Sequence, residues 1–117
     1  LRFHLKHKKL ATLSAVHPPA RFGEINFNKK YKVINFNEKP QLARGWINGG
    51  FFVFNYKIFD FIKGDQIMLE REPMQKLTKI GQLIAFKHTG FWQCMDTMRE
   101  KKFLDNLYRQ KKAPWTR

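Results

Sequence analysis

The apolar and polar positions alternate in several short blocks. Ala11 to Val16 (Ala-Thr-Leu-Ser-Ala-Val) is a run of small and β-branched residues ended by Pro18-Pro19, which predicts a buried strand. Arg21 to Phe27 and Tyr31 to Phe36 both alternate. Ile25 and Phe27 share one face of the first, and Tyr31, Val33 and Asn35 one face of the second. Asn28-Lys29-Lys30 between them predicts a hairpin. Gly50 to Phe54 reads as a further apolar strand. Asn55 is placed to cap a helix on which Ile58, Phe59 and Ile62 share a face, with Gly64 just past its end. Pro73 suits the first turn of a second helix, where Met74 and Leu77 lie one turn apart and Gly81 supplies the stop. Gln82 to His88 returns as a strand. A closing helix over Arg99 to Lys111 stacks Phe103, Leu104, Leu107 and Tyr108 along one side. This order predicts an α/β or α+β arrangement that completes a larger mixed sheet.

Length narrows the picture. At 117 residues the chain has room for one domain, but is small for a complete α/β enzyme. It opens on Leu1, and Leu1 to Lys9 reads as the continuation of something already under way, so a fragment is expected. No apolar stretch approaches the roughly 18 residues of a membrane span, and no secretory signal pattern opens the chain. A single cysteine excludes an internal disulfide framework and suits a reducing, cytoplasmic compartment.

The formal charge of +14 and pI near 10.2, with 15% aromatics, would suit a basic nucleic-acid-binding module. That reading predicts clustered Lys and Arg. Here the basic residues are spread along the chain, with no run longer than Lys6-His7-Lys8-Lys9. A solvated basic surface on an ordinary enzyme piece, without nucleic acid or membrane as partner, is the better expectation.

Four segments carry candidate chemistry. Glu38-Lys39-Pro40 follows a strand directly; Pro40 biases Lys39 toward extended backbone, so the carboxylate and the ammonium point to different sides. One acceptor and one compact cation could serve a sugar phosphate, hydroxyls to the first and phosphate to the second. The tripeptide is common, and taken alone a solvated strand end is the better reading of it. In Gly45-Trp46-Ile47-Asn48-Gly49-Gly50, two adjacent glycines open an apolar strand at an entropic cost that adds no packing. They fit a close backbone approach to a ligand or a β-bulge, and Asn48 adds an amide able to read a hydroxyl from either side. Arg21-Phe22-Gly23, after Pro18-Pro19, reads on its own as a plain turn before a strand, and gains a further reading only from the resemblance given below. In Trp92-Gln93-Cys94-Met95-Asp96-Thr97 a lone carboxylate sits among bulky apolar residues. It either holds a metal or caps the helix that starts near Thr97. Cys94 lacks an identifiable His or Asn partner for nucleophilic chemistry and reads as a buried thiol. His4 and His7 are spaced for one helical face, where ordinary basic surface is the simpler reading than a metal pair.

Taken in this order and spacing, Glu38-Lys39-Pro40, Gly45-Trp46-Ile47-Asn48-Gly49-Gly50-Phe51-Phe52 and Gly90-Phe91-Trp92-Gln93-Cys94-Met95-Asp96-Thr97 resemble the C-terminal half of the sugar-1-phosphate nucleotidyltransferases, the cytidylyl-transferring members above all. Ala113-Pro114-Trp115 is similar to the family's C-terminal Ala-Pro-Trp. Cys94, where the family usually has proline, and Leu69, near a usual tryptophan, depart from the pattern.

The resemblance implies an α/β fold: the C-terminal part of a Rossmann-like, GT-A-like mixed sheet flanked by helices. It implies a single partial domain over residues 1–117, the half that binds sugar phosphate and metal. The nucleotide-binding half, with its Gly-Gly-x-Gly-Thr-Arg loop, is not in this sequence. The implied reaction moves a cytidylyl group from CTP to glucose 1-phosphate, needs Mg²⁺, and is carried out by a homo-oligomer. Lys39 would be the catalytic cation on the sugar phosphate, Gly23, Glu38, Trp46, Asn48 and Gly49 the remaining substrate-binding residues, and Asp96 the metal ligand. A thymidylyl- or uridylyltransferase of the same family is the near alternative.

Overall fold

The structure, a computed structural model, describes residues 1–19, 24–37 and 45–116. In chain order the elements are α1 (Arg2–His7), β1 (Ala11–Val16), β2 (Glu24–Phe27), β3 (Val33–Asn37), β4 (Ile47–Phe54), a 3₁₀ turn (Tyr56–Phe61), α2 (Glu72–Lys79), β5 (Leu83–His88) and α3 (Met98–Arg109). The chain groups into two compact units. One joins Leu1–Val16 to Trp46–His88; the other joins His17–Gly45 to Thr89–Arg117.

The first unit is built on β1, the middle strand of a mixed sheet ordered β4-β1-β5. β4 runs antiparallel to it and β5 parallel. A strand with both edges paired and both faces covered needs an uninterrupted run of small or apolar residues. Ala11, Thr12, Ala15 and Val16 are accordingly all buried. Leu77 and Met74 of α2, one turn apart as expected, close with Ile58 and Ala11 into the core, and Phe52, Phe54, Phe61 and Leu83 pack around it. Gly81, at φ +69°, turns the chain after α2. The Gln82 N–H then reaches back to the Leu77 carbonyl (2.9 Å), ending the helix and starting β5 in one step.

The segment after Asn55 departs from expectation. Asn55 caps it, its Oδ1 accepting from the Lys57 N–H (3.0 Å), but the turns are 3₁₀ rather than α. Aromatic and β-branched residues dominate Tyr56–Phe61, and such residues lose rotamer freedom in an α-helix. With three residues per turn, Ile58 and Phe61 share the inner face and Phe59 swings outward. Ile58 is buried and Phe61 half-buried, while Phe59 is exposed.

The histidine reading also changes. His4 is buried beneath α1, and its Nδ1 lies 2.8 Å from the Thr12 hydroxyl on β1. His7 Nδ1 accepts the Lys9 N–H (2.9 Å), so in the neutral ring the proton is on Nε2, which donates to the same hydroxyl (2.7 Å). The pair is a polar pin between α1 and β1, not basic surface. Burial holds the His4 imidazole below its ordinary pKa of 6.5, and the neighbouring His7 lowers it further. The unfolded chain therefore takes up a proton at His4 before the folded one does. Stability from this site is complete above about pH 6.5 and falls as pH drops below it, with a slope of at most about 1.4 kcal/mol per pH unit. Urea midpoints measured from pH 8 to pH 5 should show this loss in the native protein and a smaller one in His4→Gln. Parallel curves would remove His4 as the cause.

The second unit contains the expected hairpin, β2 with β3, joined by a turn organised by Asn28. Its Oδ1 accepts the Lys30 and Lys32 N–H groups at 2.9 and 3.1 Å. Tyr31 belongs to this turn, at φ +62°, rather than to the strand face assigned to it by alternation. α3 follows the predicted span closely. None of its residues is buried, and Phe103 and Tyr108 of its apolar stripe are exposed. Among the described residues no helix is long and apolar enough to cross a membrane.

Candidate functional site

Gly23, Glu38 and Lys39 lie outside the described residues. Trp46, Asn48 and Gly49 belong to the first unit and Asp96 to the second, so each group is described within its own unit.

β1 and β5 run parallel and end together, Val16 beside His88, and β4 begins there, with Ile47 beside Val16 and Asn48 beside Ala15. The carboxyl ends of parallel strands are where open α/β sheets bind ligands. β4 is half-buried from Phe52 onward but mostly exposed from Ile47 to Phe51, so the β4 side of this end of the sheet stands open, while Ala15 and Val16 of β1 are buried.

The glycines are explained by the sheet itself. Leu13 pairs with Phe52 but Ala15 pairs with Asn48, so β4 carries two extra residues at Gly49-Gly50-Phe51, a bulge. Gly50 sits at φ +84°, where an L side chain is strained. A Cβ on Gly49 would lie 2.7 Å from Ser14 Oγ and 2.9 Å from Val16 Cγ1. Of the two readings the sequence left open, ligand approach or β-bulge, the bulge is present, and at Gly49 the missing side chain makes room for β1.

The bulge directs Asn48. Its Oδ1 accepts the Gly50 N–H (2.8 Å) and its Nδ2 donates to Glu70 Oε2 (2.5 Å). The amide is thus held in one orientation, with one N–H and one lone pair unspent, rather than able to read a hydroxyl from either side. Nearby, the Lys87 ammonium lies 5.7 Å from the centre of the partly exposed Trp46 ring. Glu70 and Lys87 were not singled out from the sequence. Glu70 is 22 residues from its partner, and no local spacing connects them.

In the second unit the two sequence readings of Asp96 separate. Thr97, not Asp96, caps α3. The Thr97 hydroxyl accepts the Glu100 N–H (3.2 Å), and Glu100 Oε2 accepts the Thr97 N–H (3.0 Å), a complete capping box. The same carboxylate takes the Asp96 N–H at 2.6 Å, and this bond chiefly holds the Glu100 carboxyl below the usual range. Asp96 is exposed, so its apolar sequence neighbours do not bury its carboxylate. Its carboxylate is left uncommitted by the helix start.

Cys94, Asp96 and Glu100 offer ligand atoms all within 4.8 Å of one another. Glu100 is already occupied by the cap, with the Cys94 thiol donating to its Oε1 at 3.4 Å. Burial, then this bond to Glu100, pushes the Cys94 thiol up and keeps it protonated, against any role as nucleophile or ligand. A hard cation such as Mg²⁺ takes oxygen, commonly one or two carboxylates with the rest from substrate phosphates and water. Of the three side chains, Asp96 fits that requirement.

The comparisons agree with this architecture. Residues 1–98 match the family model described as Nucleotidyl transferase. Glucose-1-phosphate cytidylyltransferase of Salmonella typhimurium is 47% identical over 113 residues, which is 97% of this chain and 44% of that protein. The catalytic subunit beta of mannose-1-phosphate guanylyltransferase from Drosophila melanogaster is 32% identical over 97% of this chain and 33% of its own length. The chain thus spans less than half the length of these curated relatives. A solved structure assigned as a glucose-1-phosphate thymidylyltransferase from Bacillus anthracis, in complex with sucrose, superposes with a TM-score of 0.56 at 21% identity. It covers 92% of this chain and 47% of that one, a likeness of fold. The mixed sheet with flanking helices and the match over residues 1–98 together place the chain in the nucleotidyl transferase family.

Proposed function

We propose that this chain is the sugar-phosphate-binding half of a glucose-1-phosphate cytidylyltransferase. Its parent enzyme moves the cytidylyl group of CTP to glucose 1-phosphate, giving CDP-glucose and pyrophosphate for nucleotide-sugar and surface-polysaccharide synthesis. The observation that carries this reading is the 47% identity to the Salmonella enzyme across 97% of the chain. The mannose-1-phosphate guanylyltransferases, at 32% identity or below, are more distant on the same measure.

In this reaction a phosphate oxygen of the sugar phosphate attacks the α-phosphorus of CTP, the bond to the β-phosphate oxygen breaks, and pyrophosphate leaves. No covalent enzyme intermediate is needed, so the protein's work is positioning and charge neutralisation. On this reading Lys39 sets its ammonium against the phosphate of glucose 1-phosphate. Glu38, Asn48 and the backbone at Gly23 and Gly49 hold the hexose, with Trp46 walling that side. The exposed, uncommitted Asp96 supports its assignment as the carboxylate that holds Mg²⁺, which when bound would neutralise phosphate charge. The proposal extends to a cytoplasmic homo-oligomer; the exposed apolar stripe of α3 supports self-association.

The test is nucleotide choice. The full-length protein, given glucose 1-phosphate and Mg²⁺, should form CDP-glucose from CTP at least tenfold faster than it forms the corresponding products from UTP, dTTP or GTP. Faster turnover of another nucleotide would move the protein to a different member of the family. No turnover of any nucleotide would end the transferase reading.

A further inference from the structure

Glu70 is a carboxylate whose placement neither the fold nor the family match accounts for. Glu70 immediately precedes α2, beside the helix's N-cap residue, Arg71. A carboxylate there ordinarily turns toward the uncapped N–H groups of its helix. α2 nevertheless has no side-chain cap. Glu72, not Glu70, makes the exposed ion pair along α2, with Lys76 at 2.9 Å. Glu70 instead sends Oε2 across to the Asn48 amide on β4, 22 residues away. The helix start goes without a cap while its neighbouring carboxylate holds a side chain on the open β4 side of the sheet.

The other contact of Asn48 gives this pairing a consequence. The Gly50 N–H, presented by the bulge, fixes which end of the amide is oxygen. Glu70 then fixes where the nitrogen lies, so two bonds from two different elements define the amide plane. What is left to a ligand is one N–H donor and one oxygen lone pair, in a set direction. We propose that Glu70 is a positioning residue for hexose recognition. By locking the Asn48 amide it makes that amide selective for the configuration of one sugar hydroxyl, and so discriminates glucose 1-phosphate from its hexose epimers. This rests on the reading of Asn48 as a sugar-binding residue given above.

The experiment compares Glu70→Ala, Glu70→Gln, Asn48→Ala and the double Ala variant in the full-length enzyme. It measures KM and kcat for glucose 1-phosphate and for galactose 1-phosphate, KM for CTP, and thermal unfolding. Glu70→Ala should raise KM for glucose 1-phosphate roughly tenfold, the scale of a hydrogen bond to a charged group. It should narrow the preference over galactose 1-phosphate and leave KM for CTP within about twofold. Glu70→Gln keeps an acceptor for the Asn48 N–H and should restore most of the preference. In the double variant the loss should be close to that of Asn48→Ala alone, because both substitutions remove the same oriented amide.

Additive losses, or an unchanged epimer preference in Glu70→Ala, would overturn the assignment while leaving Asn48 as a sugar contact. A lowered unfolding temperature with both constants unchanged would do the same and make the pair purely structural. If Asn48→Ala itself leaves the sugar-phosphate KM unchanged, the reading of Asn48 and this inference fall together.

Discussion

Asp96→Asn in the full-length enzyme should lower kcat on the order of 10²-fold or more, with little change in folding stability. The substitution keeps shape and volume and removes the charge that would hold Mg²⁺, whose stabilisation of phosphate charge is worth several kcal/mol in such reactions. The structure makes the two halves of this result separable. Helix α3 is capped by Thr97 and Glu100, so an amide at position 96 takes nothing from the helix start. The Asp96 contribution to the cap is its backbone N–H, which the substitution retains. Steady-state kinetics across a Mg²⁺ titration, alongside thermal unfolding, would read both. Near-normal turnover with an unaltered Mg²⁺ dependence would remove Asp96 from the metal site. A loss of stability comparable to losing a helix cap, about 1 kcal/mol, would mean that its carboxylate supports the fold after all.

Leu77→Ala should cost about 2–5 kcal/mol of stability, the usual range for emptying a packed leucine site. Leu77 has 0% of its surface exposed and closes the core against Ala11, Ile58 and Met74. Domains of ordinary stability hold only about 5–15 kcal/mol in total, so one such cavity removes a large share. Phe59→Ala is the matched control. Phe59 is 73% exposed, because three residues per turn carry it away from the core. Its removal should change stability by no more than about 0.5 kcal/mol. Urea unfolding should give a clearly lower midpoint for the first variant and nearly the native midpoint for the second. Equal losses would mean that Tyr56–Phe61 packs as the α-helix the sequence suggested, with Phe59 inward.

Local pattern was a good guide wherever local chemistry decided the structure. The buried run Ala11 to Val16, the Asn55 cap, the Met74 and Leu77 face, and the Gly81 stop were all legible. In each case the determining contact lies within a few residues or depends on simple burial. The α3 span was legible too, but the capping alternative weighed for Asp96 falls one residue short of the observed cap, Thr97. Asp96 and Thr97 are both good cap residues, and only the reciprocal bond from Glu100 chooses Thr97. The short segment after Asn55 was misread because apolar spacing over six residues cannot separate a period of 3.6 from a period of 3.

The sequence by itself thus determined the class of fold and, through motif order, the family to which the chain belongs. It singled out Asn48-Gly49-Gly50 and Asp96 as candidates, the first for ligand approach or a bulge and the second for a metal or a helix cap. What lies against the Gly49 Cα was decided only when β4 met β1. Whether Gly49 makes room for a ligand or for Ser14 and Val16 depends on strand register, which places those atoms under 3 Å from an added Cβ. The orientation of Asn48 likewise required Glu70, brought from 22 residues away, and the buried role of His4 required Thr12 on β1. These are contacts between elements, fixed by how a sheet and its helices pack. Hydrophobic spacing records which face of an element is buried, but not which residue of another element it will meet.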